Sequence, residues 1–204
     1  MNTTREKASY CIGLETGRSL KNQFSDMDLS FLMEGFQDAL SDKDPKLKNE
    51  EIQTIMTAIK RQVETQQKQL IAHIAEENKK RGDTFLAENK NKEGVLVLPS
   101  GLQYKILHEG TGPSPKSIDL VTVHYKGYFI NGQTFDSSYE RGKPHVFPVN
   151  RVIPGWSEAL QKMKVGDKWQ LFIPSYLAYG EMGFGPEIGP NVTLIFEMEL
   201  LGVN

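Results

Sequence analysis

The chain changes character near residue 95, and that change constrains its folding more than any single motif. Roughly the first ninety residues hold one proline, Pro45, few aromatics and almost no strand signal. From Leu98 onward proline, glycine, tyrosine and β-branched residues become frequent. Such a shift marks a domain boundary. The chain of 204 residues therefore reads as a helical part followed by a sheet-based part.

In the helical part, Ser9 to Lys21 is expected to form a short helix with Tyr10, Ile12, Gly13, Gly17 and Leu20 near one face. The Gly13/Gly17 spacing is read as incidental. Asp28 is a candidate N-cap for a second helix whose apolar positions 29, 32, 33, 36 and 40 follow the helical period. The Ser41–Pro45 turn ends it, because the residue before a proline avoids the α region. A long helix is then expected from Lys48 to Glu88, about 60 Å at 1.5 Å per residue. Ile52, Ile55, Met56, Ile59, Val63, Leu70 and Ile74 make a narrow apolar stripe on it. The stripe fades after Ile74, so the later half is expected to be exposed. Gly82 costs about 1 kcal/mol relative to alanine and predicts a bend or an early stop.

Two short helices and half of a long one bury little, and self-association is a common remedy. Residues 1–46 are thus expected to be a helical dimerisation module, 47–94 a connecting helix, and 95–204 a separate domain. Met27 and Met33 suit an adaptable interface or plain core filling. Cys11, the only cysteine, permits no internal disulfide and is expected to be a small core residue.

The second part alternates as a half-buried sheet does. Leu102, Tyr104 and Ile106 form one run, Val121, Val123 and Tyr125 another. Trp169, Leu171 and Ile173 follow, then Leu194, Phe196, Met198 and Leu200. Asn131-Gly132 predicts a type I′ hairpin turn. One short helix starts at Pro154 and runs through GWSEALQKM. The fold class expected is α+β: a twisted antiparallel sheet wrapped on one short helix, preceded by helices.

Several functions find no support. A net charge of −2 leaves no footprint for nucleic acid. No run approaches the roughly 18 to 20 apolar residues of a membrane span. The first residues lack a basic segment followed by an apolar one, so a cytoplasmic protein is expected, or a periplasmic or cell-surface one if the chain is a mature form. His73, His108, His124 and His145 have no metal-ligand spacing, and no metal or cofactor is implied. Gly180–Asn191 looks like a phosphate cradle but lacks its Lys-Ser/Thr and a following helix.

What remains is an aromatic set spread over six short motifs: VHYKG (123–127), TFDSS (134–138), VIPGW (152–156), WQLFIP (169–174), AYG (178–180) and IFEMELL (195–201). Any one of these aromatics would pass as core. Core packing does not call for a carboxylate, Asp136, beside Phe135, or for Pro-Gly before Trp156. In this order the motifs closely resemble the pocket of FKBP-type peptidyl-prolyl cis/trans isomerases, over Val95 to Asn204. The resemblance implies catalytic roles for Asp136, Tyr179, Phe135 and Trp156. It implies that Tyr125, Phe147, Val152, Ile153, Ile188 and Phe196 hold the substrate. Trp156 would be the floor under the proline ring, and the Tyr179 hydroxyl would donate to a substrate carbonyl. After RGKP (141–144) the family has an aromatic where this chain has His145.

SYCIGLETGRSLKNQ, Phe85–Val95 and LPSGLQYKIL narrow the resemblance to the Mip (macrophage infectivity potentiator) branch of bacterial FKBPs. It then covers nearly the whole chain. That branch implies a V-shaped homodimer built from the helices, proline-containing protein clients, and macrolide inhibitors of the FK506 and rapamycin type. The expected activity is isomerisation of X–Pro bonds in unfolded or flexible segments. The alternative is a dimeric holdase chaperone whose isomerase activity is incidental.

Overall fold

The computed structural model describes residues 1–24 and 26–204. It divides into two compact units, Met1–Lys68 and Gln69–Asn204, and the division falls inside the long helix.

The first unit holds α1 (Thr4–Gln23), α2 (Leu29–Leu40) and the start of α3 (Asn49–Asn89). Helix α1 begins five residues before the expected Ser9 because Thr3 and Glu6 form a capping box. The Thr3 side chain accepts from the Glu6 amide, and the Glu6 carboxylate accepts from the Thr3 amide. Two of the orphan donors of the first turn are thereby satisfied. Asp28 caps α2 as the sequence implies, accepting from the amides of Ser30 and Phe31. Neither helix contains a buried residue. Cys11 is exposed, so the expectation that it fills a core is wrong. Ile12, Gly13, Gly17 and Leu20 of α1 line, with Leu32, Met33, Phe36 and Leu40 of α2, an apolar cavity of about 810 Å³.

The second unit is a seven-stranded antiparallel sheet in the order β1-β2-β6-β7-β3-β4, with β5 also on β3. Its strands are β1 (Val95–Val97), β2 (Gln103–His108), β3 (Leu120–Phe129), β4 (Thr134–Ser137), β5 (His145–Pro148), β6 (Lys168–Ile173) and β7 (Leu194–Val203). The β3–β4 hairpin does not use a type I′ turn. Only Gly132 has a positive φ (87°), and the Gly132 amide donates to the Phe129 carbonyl. That is the pattern of a type I turn followed by a glycine bulge, which needs one left-handed residue instead of two. Helix α4 (Pro154–Leu160) starts on its proline as expected but ends sooner. It lies on one face of the sheet, where Trp156, Ala159 and Leu160 join Val121, Val123, Leu171, Ile173, Leu194 and Met198 in one core.

The other face of the sheet is partly covered, and this corrects two expectations. The end of α3 is not solvent-exposed throughout: Gly82 and Asn89 are buried, and the Phe85 ring lies 6.0 Å from that of Phe172. Buried Gln103 donates to the Leu86 carbonyl at 2.8 Å and accepts from the Asn89 amide at 3.0 Å. Gly82 does not stop the helix, which runs on to Asn89. A Cβ there would stand 2.3 Å from Thr193 Oγ1, so glycine is what lets α3 approach the segment leading into β7.

Candidate active site

The site lies where strand pairing on β3 changes partner. Toward its C-terminal end β3 pairs with β4, from Lys126 opposite Ser137; toward its start it pairs with β5, up to Val123 opposite His145. His124 and Tyr125 fall in the gap. Ser138 closes it: its hydroxyl accepts from the Tyr125 amide at 2.8 Å, and its own amide donates to the Tyr125 carbonyl. Strand alternation sends Val121, Val123 and Tyr125 inward together. His124 turns the other way, stacked on Tyr139 at 4.5 Å.

A cavity of about 450 Å³ opens beside this seam. It is lined by Tyr125, Phe135, Asp136, Phe147, Val152, Ile153, Trp156, Tyr179 and Phe196, together with His145 and Arg151. Nine of the ten site residues expected from the sequence are therefore brought together. Ile188 is the exception. It is buried in the core and bridged to Phe184, and it is not part of the cavity wall. The exposed residue of that loop nearest to the expected role is Phe184, which stacks on Tyr179 at 4.8 Å.

Trp156 is the centre of the aromatic packing. Phe196 meets it edge-on at 4.9 Å, Tyr125 edge-on at 4.9 Å, and Phe147 at 5.5 Å. Phe135 meets Phe196 edge-on at 5.5 Å. Such T-shaped contacts fix ring orientation better than area burial alone does. Pro154 opens α4, and Gly155 lets the helix seat on Ile173, where a Cβ would come within 2.6 Å of a methyl group. Trp156 is thus held at the first turn of α4, 7 % exposed.

The polar groups occupy one edge of the cavity. The Tyr125 hydroxyl donates to Asp136 Oδ2 at 2.6 Å. Arg141 forms an ion pair with Asp136 and also donates to the Tyr125 hydroxyl oxygen at 2.7 Å, its guanidinium lying over the Tyr125 ring. Burial, followed by the hydrogen bond to Asp136, pushes the Tyr125 hydroxyl up to about 12. Burial alone would raise the Asp136 carboxyl, but the hydrogen bonds from Tyr125 and Arg141 outweigh it and hold the group below its ordinary value. Asp136 is therefore an ionised carboxylate with its acceptors directed at Tyr125 and Arg141. Arg141 was not among the residues expected from the sequence. An arginine five positions after a pocket carboxylate, in the loop joining the two strands beside it, was the available signal.

Besides the buried Trp156 indole N–H and the exposed Arg151 guanidinium, two donors of the lining are without a partner. Among the described residues the Tyr179 hydroxyl has no hydrogen-bond partner; burial, with the Asp136 charge second, raises its pKa and keeps it protonated. The Ile153 amide likewise donates to nothing, while its carbonyl accepts from Trp156 and Ser157. The described residues contain no group of three His, Cys, Asp or Glu side chains placed to hold a metal ion.

An aromatic cavity with no nucleophile, an ionised and fully engaged carboxylate, and two free donors agrees with what the sequence resembles. The family model described as FKBP-type peptidyl-prolyl cis-trans isomerase matches residues 112–201, and the model for the domain amino-terminal to it matches residues 5–106. The chain belongs to the FKBP-type peptidyl-prolyl isomerases. Among its relatives, Outer membrane protein MIP of Legionella longbeachae is 44% identical, over all of this chain and 87% of the relative. The FKBP-type 22 kDa peptidyl-prolyl cis-trans isomerase of Escherichia coli K12 is 43% identical, over 99% of this chain and 97% of its own. The crystal structure of FkpA from Escherichia coli matches with a TM-score of 0.79 at 38% identity, covering 100% of this chain and 98% of that one. The helical region followed by an antiparallel sheet with one short helix is shared with it, and the FKBP family places the activity as isomerisation.

Proposed function

We propose that the chain is a homodimeric isomerase of X–Pro bonds in unfolded or flexible protein segments, and that the cavity over Trp156 does the chemistry. The observation that carries this reading is the combination of an apolar cavity with two donors, Tyr179 Oη and Ile153 N, at its edge. An X–Pro bond turns slowly because twisting loses amide resonance. The planar amide is more charge-separated than the twisted one, so a dry cleft destabilises the ground state relative to the transition state. Trp156 receives the proline ring; Phe135, Phe147, Val152 and Phe196 wall it. Tyr179 and Ile153 hold the carbonyls on either side while the bond turns. Asp136 and Arg141 keep Tyr125 in place. Macrolide inhibitors would fill the same cavity.

Dimerisation is supported by the first unit, whose helices α1 and α2 bury nothing on their own and expose Leu29, Phe31, Met33 and Leu40. Of the two compartments expected from the sequence, the relative whose name states a location favours an exported one. Among the described residues no helix is long and apolar enough to cross a membrane.

The test is the rate of cis/trans exchange in a Leu-Pro peptide. Tyr179→Phe is expected to lower kcat/KM about tenfold, the value of one hydrogen bond made in the transition state. A wild-type rate equal to the uncatalysed one would sink the reading. A holdase would protect aggregating clients equally well before and after this change, whereas proline-limited refolding should slow.

A further inference from the structure

The charges around the cavity do not cancel. Asp136 and Arg151 are the carboxylate and the guanidinium of the cavity lining. Asp136 is neutralised by its ion pair with Arg141. Arg151 has no ion pair and no side-chain hydrogen bond among the described residues, and it is exposed. It closes the short 3-10 turn Val149–Arg151, whose first residue, Val149, is fully buried. The backbone that carries the guanidinium is therefore anchored, directly before Val152 and Ile153 in the cavity wall. His145 stands on the same side, its ring 6.4 Å from Tyr125 and edge-on to Phe147 at 5.5 Å. One wall of an otherwise apolar site thus presents an uncompensated cation.

We infer that Arg151 is a specificity determinant that selects X–Pro segments carrying an acidic side chain beside the proline. The inference rests on the isomerase reading of this cavity. A guanidinium offers a forked pair of donors to a carboxylate, and it cannot lose its charge at any working pH. Because Arg151 is exposed, the attraction is modest and screened by salt. It acts on selection among clients, not on the twisting of the bond.

The experiment compares three peptides identical except for Glu, Gln or Lys directly after the proline. For the wild-type protein at low salt, kcat/KM for the Glu peptide should exceed that for the Lys peptide about fivefold, with Gln between. Arg151→Gln should bring the ratio close to one, and Arg151→Glu should invert it. Half-molar salt should shrink the wild-type ratio. Each result is read as a ratio within one variant, so a general loss of activity does not disturb it. A Glu/Lys ratio that is the same in Arg151→Glu and in the wild type overturns the inference. If no peptide is isomerised at all, the isomerase reading fails instead. The Kd ratio of the same peptides, measured by fluorescence anisotropy on wild type and Arg151→Glu, then still decides whether Arg151 selects for acid.

Discussion

The two units of the chain hold their apolar side chains in opposite ways. In Gln69–Asn204, residues from six strands and α4 close a core in which Leu102, Val121, Leu171, Ile173, Leu194 and Met198 are wholly removed from water. In Met1–Lys68, α1 and α2 leave every side chain at least partly wet. The first has a closed core; the second leaves the apolar faces of both short helices open. At about 25 cal/mol per Å² of apolar surface, that contrast decides which unit can exist as a monomer.

The largest effect should come from separating the units. A fragment ending at Lys68 is expected to be unfolded at low concentration and to gain helix only as it self-associates, which circular dichroism across a dilution series will report. The full chain should scatter light as twice its 23.0 kDa, and a monomer mass at micromolar concentration would break the comparison. A fragment starting at Gln69 should be monomeric and active.

Next in size is the floor of the site. Trp156→Ala removes the ring that Tyr125, Phe147 and Phe196 pack against. It should cost about 3 kcal/mol of stability in urea and most of kcat/KM.

A third measurement sharpens where the unit with the closed core begins. A fragment starting at Val95 loses Phe85 from over Phe172 and both partners of the buried Gln103 amide. It should unfold about 3 kcal/mol more easily than the fragment starting at Gln69. Equal urea midpoints would mean that the end of α3 adds nothing to the sheet.

The smallest effect is electrostatic. Tyr125 and Tyr139 are raised from 10.0 to about 12, both first by burial and then by a carboxylate neighbour, Asp136 and Glu199 respectively. A raised folded-state value means stability fully present below pH 10 and lost as the pH climbs toward 12, because the unfolded chain gives up these protons first. Tyr125→Phe and Tyr139→Phe should each flatten that decline in part, Tyr128 and Tyr179, which are also raised, keeping some of it.

The sheet part was legible because its alternation is strict: Val121, Val123 and Tyr125 point inward as their spacing requires. Asp28 announced its helix for the same local reason. Two failures are local, the Thr3–Glu6 capping box that starts α1 early and the type I turn with its glycine at 132; the others are non-local. Whether Gly82 breaks a helix or admits Thr193 depends on a segment more than a hundred positions away. Exposure of α3 after Ile74 was inferred from a fading stripe, but the side chains that dock it, Phe85 and Asn89, are too few to make a periodic signal. Ile188 is bridged to Phe184 and buried in the core, a pairing that its own neighbours in sequence do not announce. Cys11 looked like core because its neighbours are apolar, yet in an uncompleted unit apolar neighbours are no guide to burial.

Ser138 has a consequence for how guests come and go. A gap between two strands is usually a place where a visiting chain can add itself as another strand, held by amide and carbonyl groups along its length. Here both backbone groups of Tyr125 are already spoken for by a serine of the same chain. In the proposed mode a visitor rests its proline on Trp156 without adding itself as a strand at Tyr125. Its hold is short by construction, and a folding helper that must let go of each client after one turn of one bond has use for a doorway that offers no rail.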